Sequence, residues 1–239
     1  MKQDTIVCIV AGAGRGKRFG RELPKGFYPV EGVTLLARTL RSLRAYGGIS
    51  RYIVVVPPGW EERAESELRK ETREFSYIVV AGGETRQESV AAGLGAVESA
   101  DIVLVHDACR PIVSPGLIGR VIEAARETGA AVPALEATET LGRIKDDGLK
   151  GIVPRERVVG IQTPQAFRLD CLRKAFDAGS ESAGTATDES SLVMAAGYPV
   201  RVVRGERWNI KVTLKEDLEI VESFITGKKL TMPEGNGAV

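Results

Sequence analysis

Short apolar runs alternate along the chain with longer segments in which apolar residues recur at helical spacing. Six runs have the length and composition of strands: residues 5–10, 52–56, 77–80, 102–105, 130–135 and 200–203. The first of them, TIVCIV, is apolar at nearly every position rather than at alternate ones. Continuous apolar runs of this kind predict strands that are covered on both faces.

Segments with helical spacing connect these runs. Leu36, Leu40 and Leu43 fall on one face of residues 34–46, which end at a glycine pair. Six further helices are predicted over residues 60–72, 89–97, 117–127, 169–178, 189–196 and 215–226. Strands that alternate with helices predict an α/β fold with a Rossmann-like, mostly parallel sheet flanked by helices.

Three glycine-containing or charged segments follow predicted strands directly. They contain Gly12, Gly83 and Asp107, respectively. Ligands of parallel sheets bind beyond the carboxyl ends of the strands. We therefore expect these three segments to line one cleft.

The alternation of strands and helices stops at residues 136–158. This segment has few apolar positions, no helical period, and an Asp147-Gly148 pair that predicts a hairpin turn. We expect a β-arm that projects from a single domain of residues 1–227 and packs on a second copy of the chain, giving a homodimer. Residues 228–239 are polar and predict a flexible tail.

The loop of residues 10–25 combines glycines with cations. Gly12, Gly14 and Gly16 let the backbone bend and bring its N–H groups close to an anion. The same loop carries five cations: Arg15, Lys17, Arg18, Arg21 and Lys25. The loop is neither a dinucleotide fingerprint, which needs glycine where Lys17 stands, nor a Walker A loop, which needs Ser or Thr where Arg18 stands. It predicts phosphate binding of another kind, and the alternative is a solvated basic loop.

Composition narrows the function classes. The 239 residues carry a net charge of +1, which argues against a general nucleic-acid binder. No apolar run approaches the roughly 18 residues of a membrane span. Three dispersed cysteines and one histidine argue against zinc and disulfides, and favour a cytoplasmic location.

Five motifs together resemble a known enzyme family. They are AGAGRGKRFG followed by Pro24-Lys25, HDACRP at 106–111, TPQAF at 163–167, TDE at 187–189, and NIKVT at 209–213. In this order they resemble the 2-C-methyl-D-erythritol 4-phosphate cytidylyltransferases, the CTP-using step of the non-mevalonate isoprenoid pathway. Cys109 and Phe19 depart from the residues usual in that family. The resemblance implies a nucleotide-diphospho-sugar transferase type of fold.

The resemblance also implies roles for individual residues. The catalytic residues would be Arg18, Lys25 and Lys211. The CTP-binding residues would be Gly12, Ala13, Gly14, Gly16, Gly83, Glu84 and Ser89. The residues that bind methylerythritol 4-phosphate would be Asp107, Arg110, Thr140, Arg155, Thr163 and Lys211, with Thr140 and Arg155 reaching the site of the neighbouring subunit. Asp107 would also be the protein ligand of Mg²⁺.

The chemistry expected of such a family agrees with the residues. A phosphate monoester is already anionic at pH 7, so the nucleophile needs no general base, and cations must instead neutralise charge at the reacting phosphate. His106 is interpreted as structural, because successive side chains of a strand point to opposite faces and Asp107 faces the cleft. Asp107 alone also fits a simple turn cap, and Arg155 and Arg157 fit solvent-facing charge. Two other functions stay open: a ribitol 5-phosphate cytidylyltransferase and a non-catalytic nucleotide sensor.

Overall fold

A computed structural model describes residues 4–14, 23–71, 76–179 and 188–227. The strands in these ranges are β1 Ile6–Ala11, β2 Pro29–Val30, β3 Val33–Thr34, β4 Arg51–Val56, β5 Tyr77–Ala81, β6 Ile102–Asp107, β7 Ala130–Glu136, β8 Leu141–Lys145, β9 Gly148–Val153, β10 Val159–Ile161, β11 Gln165–Arg168 and β12 Arg201–Arg204. The helices are α1 Leu35–Arg44, α2 Glu61–Glu71, α3 Arg86–Gly95, α4 Pro115–Thr128, α5 Leu169–Gly179, α6 Glu189–Ala195 and α7 Lys215–Thr226. The predicted strands and helices are confirmed, with ends that move by at most three residues.

The central sheet has the strand order β10-β7-β11-β6-β1-β4-β5, and β12 pairs with β7. β1 pairs in parallel with β4 and β6, β4 with β5, and β7 with β12. The prediction of a mostly parallel sheet is therefore confirmed. The exceptions are β10, antiparallel to β7, and β11, which is antiparallel to both β6 and β7 and separates them.

Both faces of the sheet are covered, and β1 shows why its sequence is apolar throughout. Cys8 and Val10 pack into one core with α1 and α4, whereas Val7 and Ile9 pack into the opposite core with α3 and α5. Successive side chains of a strand point to opposite faces, so both sets must be apolar.

Helix α3 begins at Arg86, three residues before the predicted start. The Thr85 hydroxyl accepts from the Glu88 N–H at 3.1 Å, and the Glu88 carboxylate accepts from the Thr85 N–H at 2.9 Å. This capping box satisfies two backbone donors that the helix itself leaves unpaired. As a result, Arg86 lies in the first turn of α3, at the carboxyl edge of the sheet.

Within the predicted β-arm of residues 136–158, the hairpin of β8 with β9 forms a two-stranded sheet of its own. The predicted turn at Asp147-Gly148 is wrong by one residue: Gly148 pairs with Lys145, so the loop is Asp146-Asp147, and Asp146 takes the positive φ of 51°. Aspartate tolerates this left-handed conformation better than most residues with a side chain.

The arm exposes a row of apolar side chains, Ile144 at 79%, Leu149 at 65% and Ile152 at 57%. Apolar groups on an isolated two-stranded sheet have no core to enter within the described part of the chain. Packing of the arm on a second copy stays a prediction. The predicted tail of residues 228–239 lies outside the described residues.

Candidate active site

The three segments that follow β1, β5 and β6 meet in one cleft, as the sequence predicts. The cleft has a volume of about 120 Å³. It is lined by Ala11, Gly12, Ala13, Gly14, Lys25, Arg86, Ser89, Asp107, Cys109 and Lys211. Glycines and small side chains thus form its walls, and three of its lining residues are cations.

The first wall is the start of the glycine loop. The Gly12 N–H donates to the Val55 carbonyl at 2.7 Å, which binds the loop to β4. A Cβ on Gly12 would lie 2.9 Å from that same carbonyl oxygen, closer than real side chains approach. Position 12 therefore requires glycine for packing. Gly14, in contrast, is exposed, and a Cβ there would have no neighbour within 4 Å. Of the other predicted loop residues, Gly16 and Arg18 lie outside the described residues.

The second wall is the turn between β5 and α3, which packs directly on the first. A Cβ on Gly82 would lie 2.4 Å from Ala13 Cβ and 2.8 Å from Ser89 Oγ. The Ser89 hydroxyl donates to the Thr85 carbonyl at 2.7 Å and accepts from the Gly83 N–H at 3.2 Å. Ser89 therefore fixes the shape of the Gly83 turn.

Glu84 is exposed on that same turn. The predicted contacts of Gly83, Glu84 and Ser89 with CTP stay predictions. Their common position at the end of β5 fits a role in binding one part of a nucleotide.

Asp107, at the carboxyl end of β6, is surrounded by three cations. Its Oδ2 lies 2.9 Å from Lys211 Nζ and 3.3 Å from Arg110 Nε, and its Oδ1 lies 3.4 Å from Arg86 NH2. Burial alone would raise the pKa of this carboxyl, but Lys211, Arg86 and Arg110 outweigh burial and hold the pKa well below its usual range. Asp107 is therefore ionised at neutral pH.

Arg110 and Thr163, both predicted substrate-binding residues, lie beneath Asp107 and are not among the residues that line the cleft. The Asp107 N–H donates to Thr163 Oγ1 at 3.1 Å, and Arg110 NH1 donates to the Asn209 carbonyl at 2.7 Å. Both side chains are buried. In this structure they support Asp107, and their contact with a substrate stays a prediction.

His106 is fully buried, and both of its ring nitrogens have partners. Nδ1 lies 3.1 Å from Thr163 Oγ1, and Nε2 lies 3.2 Å from the Arg110 carbonyl oxygen. Burial lowers the pKa of His106 to about 4, so the ring is neutral at pH 7. The interpretation of His106 as a structural residue agrees with this geometry.

Two residues at the site were missed by the sequence analysis. Arg86 NH1 lies 2.5 Å from Glu189 Oε1, and the Glu189 side chain is only 1% exposed. Burial by itself would lower the pKa of Arg86, but the Glu189 and Asp107 carboxylates reverse that effect and raise it. Two features of the sequence could have indicated this ion pair. Arg86 follows a glycine turn, and Glu189 directly follows Asp188, although a helix start also explains both acids.

Thr140 and Arg155 lie on the arm and are exposed. Arg155 NH1 donates to the Thr138 carbonyl at 2.8 Å. Neither residue is among those that line the cleft of this chain. Their predicted contact with the site of a neighbouring subunit stays a prediction.

The fit of a magnesium ion depends on Asp107. Within the described residues no three His, Cys, Asp or Glu side chains cluster closely enough to hold a metal by themselves. Mg²⁺ is usually held by one or two carboxylates together with substrate phosphates and water. A single ionised carboxylate beside a glycine loop fits this arrangement, provided that the triphosphate supplies the other ligands.

A larger groove of about 660 Å³ lies at the opposite edge of the sheet, beside Asp101 and Ile102 at the start of β6. Its charges pair with each other, as in Arg126 with Asp4 at 2.6 Å and Arg168 with Asp170 at 3.4 Å. The groove lies where β6 begins, whereas ligands of parallel sheets bind beyond the carboxyl ends of the strands. The smaller cleft at the carboxyl edge is therefore the candidate active site.

A mostly parallel sheet with a glycine loop and a cation cluster at its carboxyl edge is the architecture of the nucleotidyltransferases of the nucleotide-diphospho-sugar transferase type. The chain belongs to the 2-C-methyl-D-erythritol 4-phosphate cytidylyltransferase (IspD) family, whose model matches residues 6–227.

Similar proteins span nearly the whole of this chain. It is 39% identical over 231 residues to 2-C-methyl-D-erythritol 4-phosphate cytidylyltransferase of Acidobacterium capsulatum, covering 92% of this chain and 97% of that protein. The protein of the same name from Pelotomaculum thermopropionicum is 37% identical over 238 residues, covering 98% and 100%. The crystal structure of the Thermus thermophilus protein of that name superposes with a TM-score of 0.77 at 37% identity, covering 93% and 98%. In the described part of this chain, no helix is both long and apolar enough to cross a membrane.

Proposed function

We propose that this chain is a cytidylyltransferase that couples CTP to 2-C-methyl-D-erythritol 4-phosphate and releases pyrophosphate. The observation that carries the proposal is the cleft itself, where Lys25, Arg86 and Lys211 surround a glycine wall and a single carboxylate. Such a site neutralises anions and offers no free imidazole. That matches a reaction between two phosphates, in which the nucleophile is already ionised.

Lys25 would contact the triphosphate of CTP at the α-phosphate, where negative charge builds up in the transition state. In support, Lys25 lines the cleft beside Gly12 and the exposed Gly14, and a glycine backbone can approach an anion closely. Arg18 is assigned the same task by family membership, and it lies outside the described residues. The Gly83 turn would bind the cytidine portion.

Lys211 and Asp107 would act on the acceptor side. Lys211 is 44% exposed at the cleft and can donate to an incoming phosphate, whereas Asp107 holds it in place at 2.9 Å. Asp107 would also be the protein ligand of Mg²⁺. When bound, the ion would neutralise charge on the triphosphate and help orient it.

The acceptor site would be completed by the arm of a second subunit. The exposed apolar row Ile144, Leu149 and Ile152 supports an arm that packs on another copy of the chain. Thr140 and Arg155, which do not line the cleft of their own chain, would then reach the acceptor in the partner's cleft.

A cytoplasmic location belongs to the same proposal. The three cysteines, Cys8, Cys109 and Cys171, are free thiols and buried in the structure. Free thiols in a chain with several cysteines fit a reducing compartment.

The test is pyrophosphate release with Mg²⁺ present. CTP, UTP, GTP and ATP are each combined with 2-C-methyl-D-erythritol 4-phosphate or ribitol 5-phosphate. We expect release only with CTP and the methylerythritol phosphate. We expect a loss on the order of a hundredfold in Lys25→Ala and no change in the matched control Lys70→Ala, an exposed lysine of α2 that pairs with Glu67.

Two other results would reassign the chain. Release with ribitol 5-phosphate instead would keep the fold and chemistry but change the acceptor. CTP binding without release for any pair would indicate a nucleotide sensor and contradict the catalytic role of Lys25.

A further inference from the structure

Glu189 is a buried carboxylate that the proposed reaction does not use directly. Its side chain is 1% exposed, its Oε1 lies 2.5 Å from Arg86 NH1, and its Oε2 has no hydrogen-bond partner among the described residues. Burying a carboxylate with one unsatisfied oxygen costs free energy, and buried ion pairs seldom repay that cost in stability. The position of this group beside the cleft therefore calls for another explanation.

The backbone around Glu189 is fixed to the sheet. The Ser190 N–H donates to Gln165 Oε1 at 3.1 Å, and Gln165 Nε2 donates to Asp188 Oδ2 at 2.8 Å. Gln165 lies in β11 and pairs with Val105, two residues before Asp107. The backbone that carries Glu189 is thus anchored to β11, and β11 pairs with β6, the strand that carries Asp107.

The Arg86 guanidinium contacts two carboxylates, those of Glu189 and Asp107. NH1 contacts Glu189 at 2.5 Å, while Nε and NH2 both lie 3.4 Å from Asp107 Oδ1. The short contact to Glu189 and the long contacts to Asp107 indicate that Glu189 holds the guanidinium away from Asp107. The other oxygen of Asp107 is then available to Lys211 at 2.9 Å.

We propose that Glu189 is a positioning residue for the transfer reaction: by holding Arg86, it keeps Asp107 shared between Arg86 and Lys211. This inference rests on the proposed function for its effect on turnover. Without the charge of Glu189, Arg86 moves onto Asp107 as a closer, bidentate partner, because guanidinium and carboxylate match in that geometry. Lys211 then loses its fixed position at the cleft.

The principal variant is Glu189→Gln, which keeps the shape of the side chain and removes its charge. We expect kcat to fall at least about tenfold, since small displacements of a reacting group can cost a hundredfold. The KM for CTP is expected to stay within about threefold, because Gly12 and Gly82 are not touched. The control is Leu192→Ala, which destabilises the same helix through its buried face without changing charge.

Action through Arg86 is tested by a double-mutant cycle. Arg86→Lys keeps the positive charge but removes the fork that bridges the two carboxylates. If Glu189 acts through Arg86, Glu189→Gln has much less effect on kcat in the Arg86→Lys background than in the wild type. An equal effect in both backgrounds overturns the inference, as does unchanged kcat in Glu189→Gln. A fall in kcat of the same size in Leu192→Ala also overturns it.

A second readout does not depend on turnover. Crystal structures of the wild type and Glu189→Gln give the separation between Lys211 Nζ and Asp107 Oδ2 directly. We expect about 2.9 Å in the wild type and a clear lengthening in the variant, with Arg86 closer to Asp107. Wild-type protein that releases no pyrophosphate contradicts the proposed function, whereas an unchanged Asp107–Lys211 separation in the variant contradicts the inference about Glu189.

Discussion

Lys211 Nζ lies 2.9 Å from Oδ2 of Asp107, so a half-exposed cation is held at the cleft by a carboxylate that is almost fully buried. Arg86 and Arg110 contact the same carboxylate. Lys211, Arg86 and Arg110 thus surround one acid, Asp107. Even when Glu189 is paired with Arg86, these residues together carry an excess of positive charge. This excess positive charge favours the binding of anions, and it depends on Asp107 for its arrangement.

Removal of the Asp107 charge should affect both rate and stability. In Asp107→Asn, Lys211 loses its fixed position and the buried Arg110 loses its ionic partner. We expect pyrophosphate release to fall on the order of a hundredfold and the free energy of unfolding to fall by roughly 3 kcal/mol. Kinetic assay and urea denaturation measure the two effects. The control is Asp170→Asn, which removes a carboxylate from an exposed ion pair with Arg168.

A normal rate of pyrophosphate release in Asp107→Asn would contradict the assignment of this cleft as the active site.

The single histidine should make stability depend on pH. Burial lowers the pKa of His106 from 6.5 to about 4 in the folded chain. Below pH 6.5 the unfolded chain therefore binds a proton that the folded chain does not, so stability falls as the pH decreases toward 4 and does not depend on this group at higher pH. The expected loss is about 2 kcal/mol between roughly pH 7.5 and pH 5.

The measurement is urea denaturation across this pH range without Mg²⁺ or CTP. Because the chain has one histidine, His106→Gln removes every imidazole. The variant should be less stable than the wild type at pH 7.5, but its stability should change much less down to pH 5. If the stability of His106→Gln still falls as steeply with decreasing pH, the effect belongs to carboxyl groups and not to His106.

The contact between the two walls of the cleft should be sensitive to one methyl group. In Gly82→Ala the new Cβ would meet Ala13 Cβ at 2.4 Å and Ser89 Oγ at 2.8 Å, so the loops must separate. We expect a loss of roughly 1–3 kcal/mol in stability and a raised KM for CTP. Gly95→Ala is the matched control, because it lies in α3 with nothing within 4 Å. It should be neutral or slightly stabilising, and equal behaviour of the two variants would contradict the packing argument.

Shared active sites should be visible by mixing two inactive variants. Lys25→Ala is expected to inactivate the cleft of its own chain, and Arg155→Ala is expected to inactivate the cleft of the partner. After unfolding and refolding together in equal amounts, half of the dimers should be mixed, and each should contain one intact site. We expect about a quarter of wild-type pyrophosphate release.

The same mixture also tests the alternative, in which each arm serves the cleft of its own chain. If Arg155 served the cleft of its own chain, no combination of the two variants would contain an intact site, and the mixture would stay inactive. Sedimentation of each variant is the accompanying control, because both must form the same dimers as the wild type.

The parallel part of the sheet is predictable because burial on both faces leaves a strong local pattern. β1 and β4 are apolar at consecutive positions, as strands covered on both faces must be. The segment of β11 predicts only a return to the core. Four residues, QAFR, are too few for a pattern that indicates direction, and their antiparallel pairing with β6 depends on contacts distant in sequence.

For the candidate site, the sequence predicts which segments of the chain meet in the cleft, but not which side chains form ion pairs there. Gly12, Gly83 and Asp107 follow strands, and the rule that ligands bind at the carboxyl ends of parallel strands is enough to bring their segments together. The link between Arg86 and Glu189 could not be predicted in that way, since the two residues are 103 positions apart. Each also has a sufficient local explanation as part of a helix start, which conceals the ion pair.

The arm leaves the sheet at Glu136 and returns at Val159, and these two residues face each other in neighbouring antiparallel strands. Its ends are therefore adjacent, so its length and sequence can change without altering the register of any strand that shapes the glycine walls. If the arm completes the acceptor site as proposed, replacing it with the arm of a relative that uses a different alditol phosphate should change the acceptor and leave the nucleotide the same.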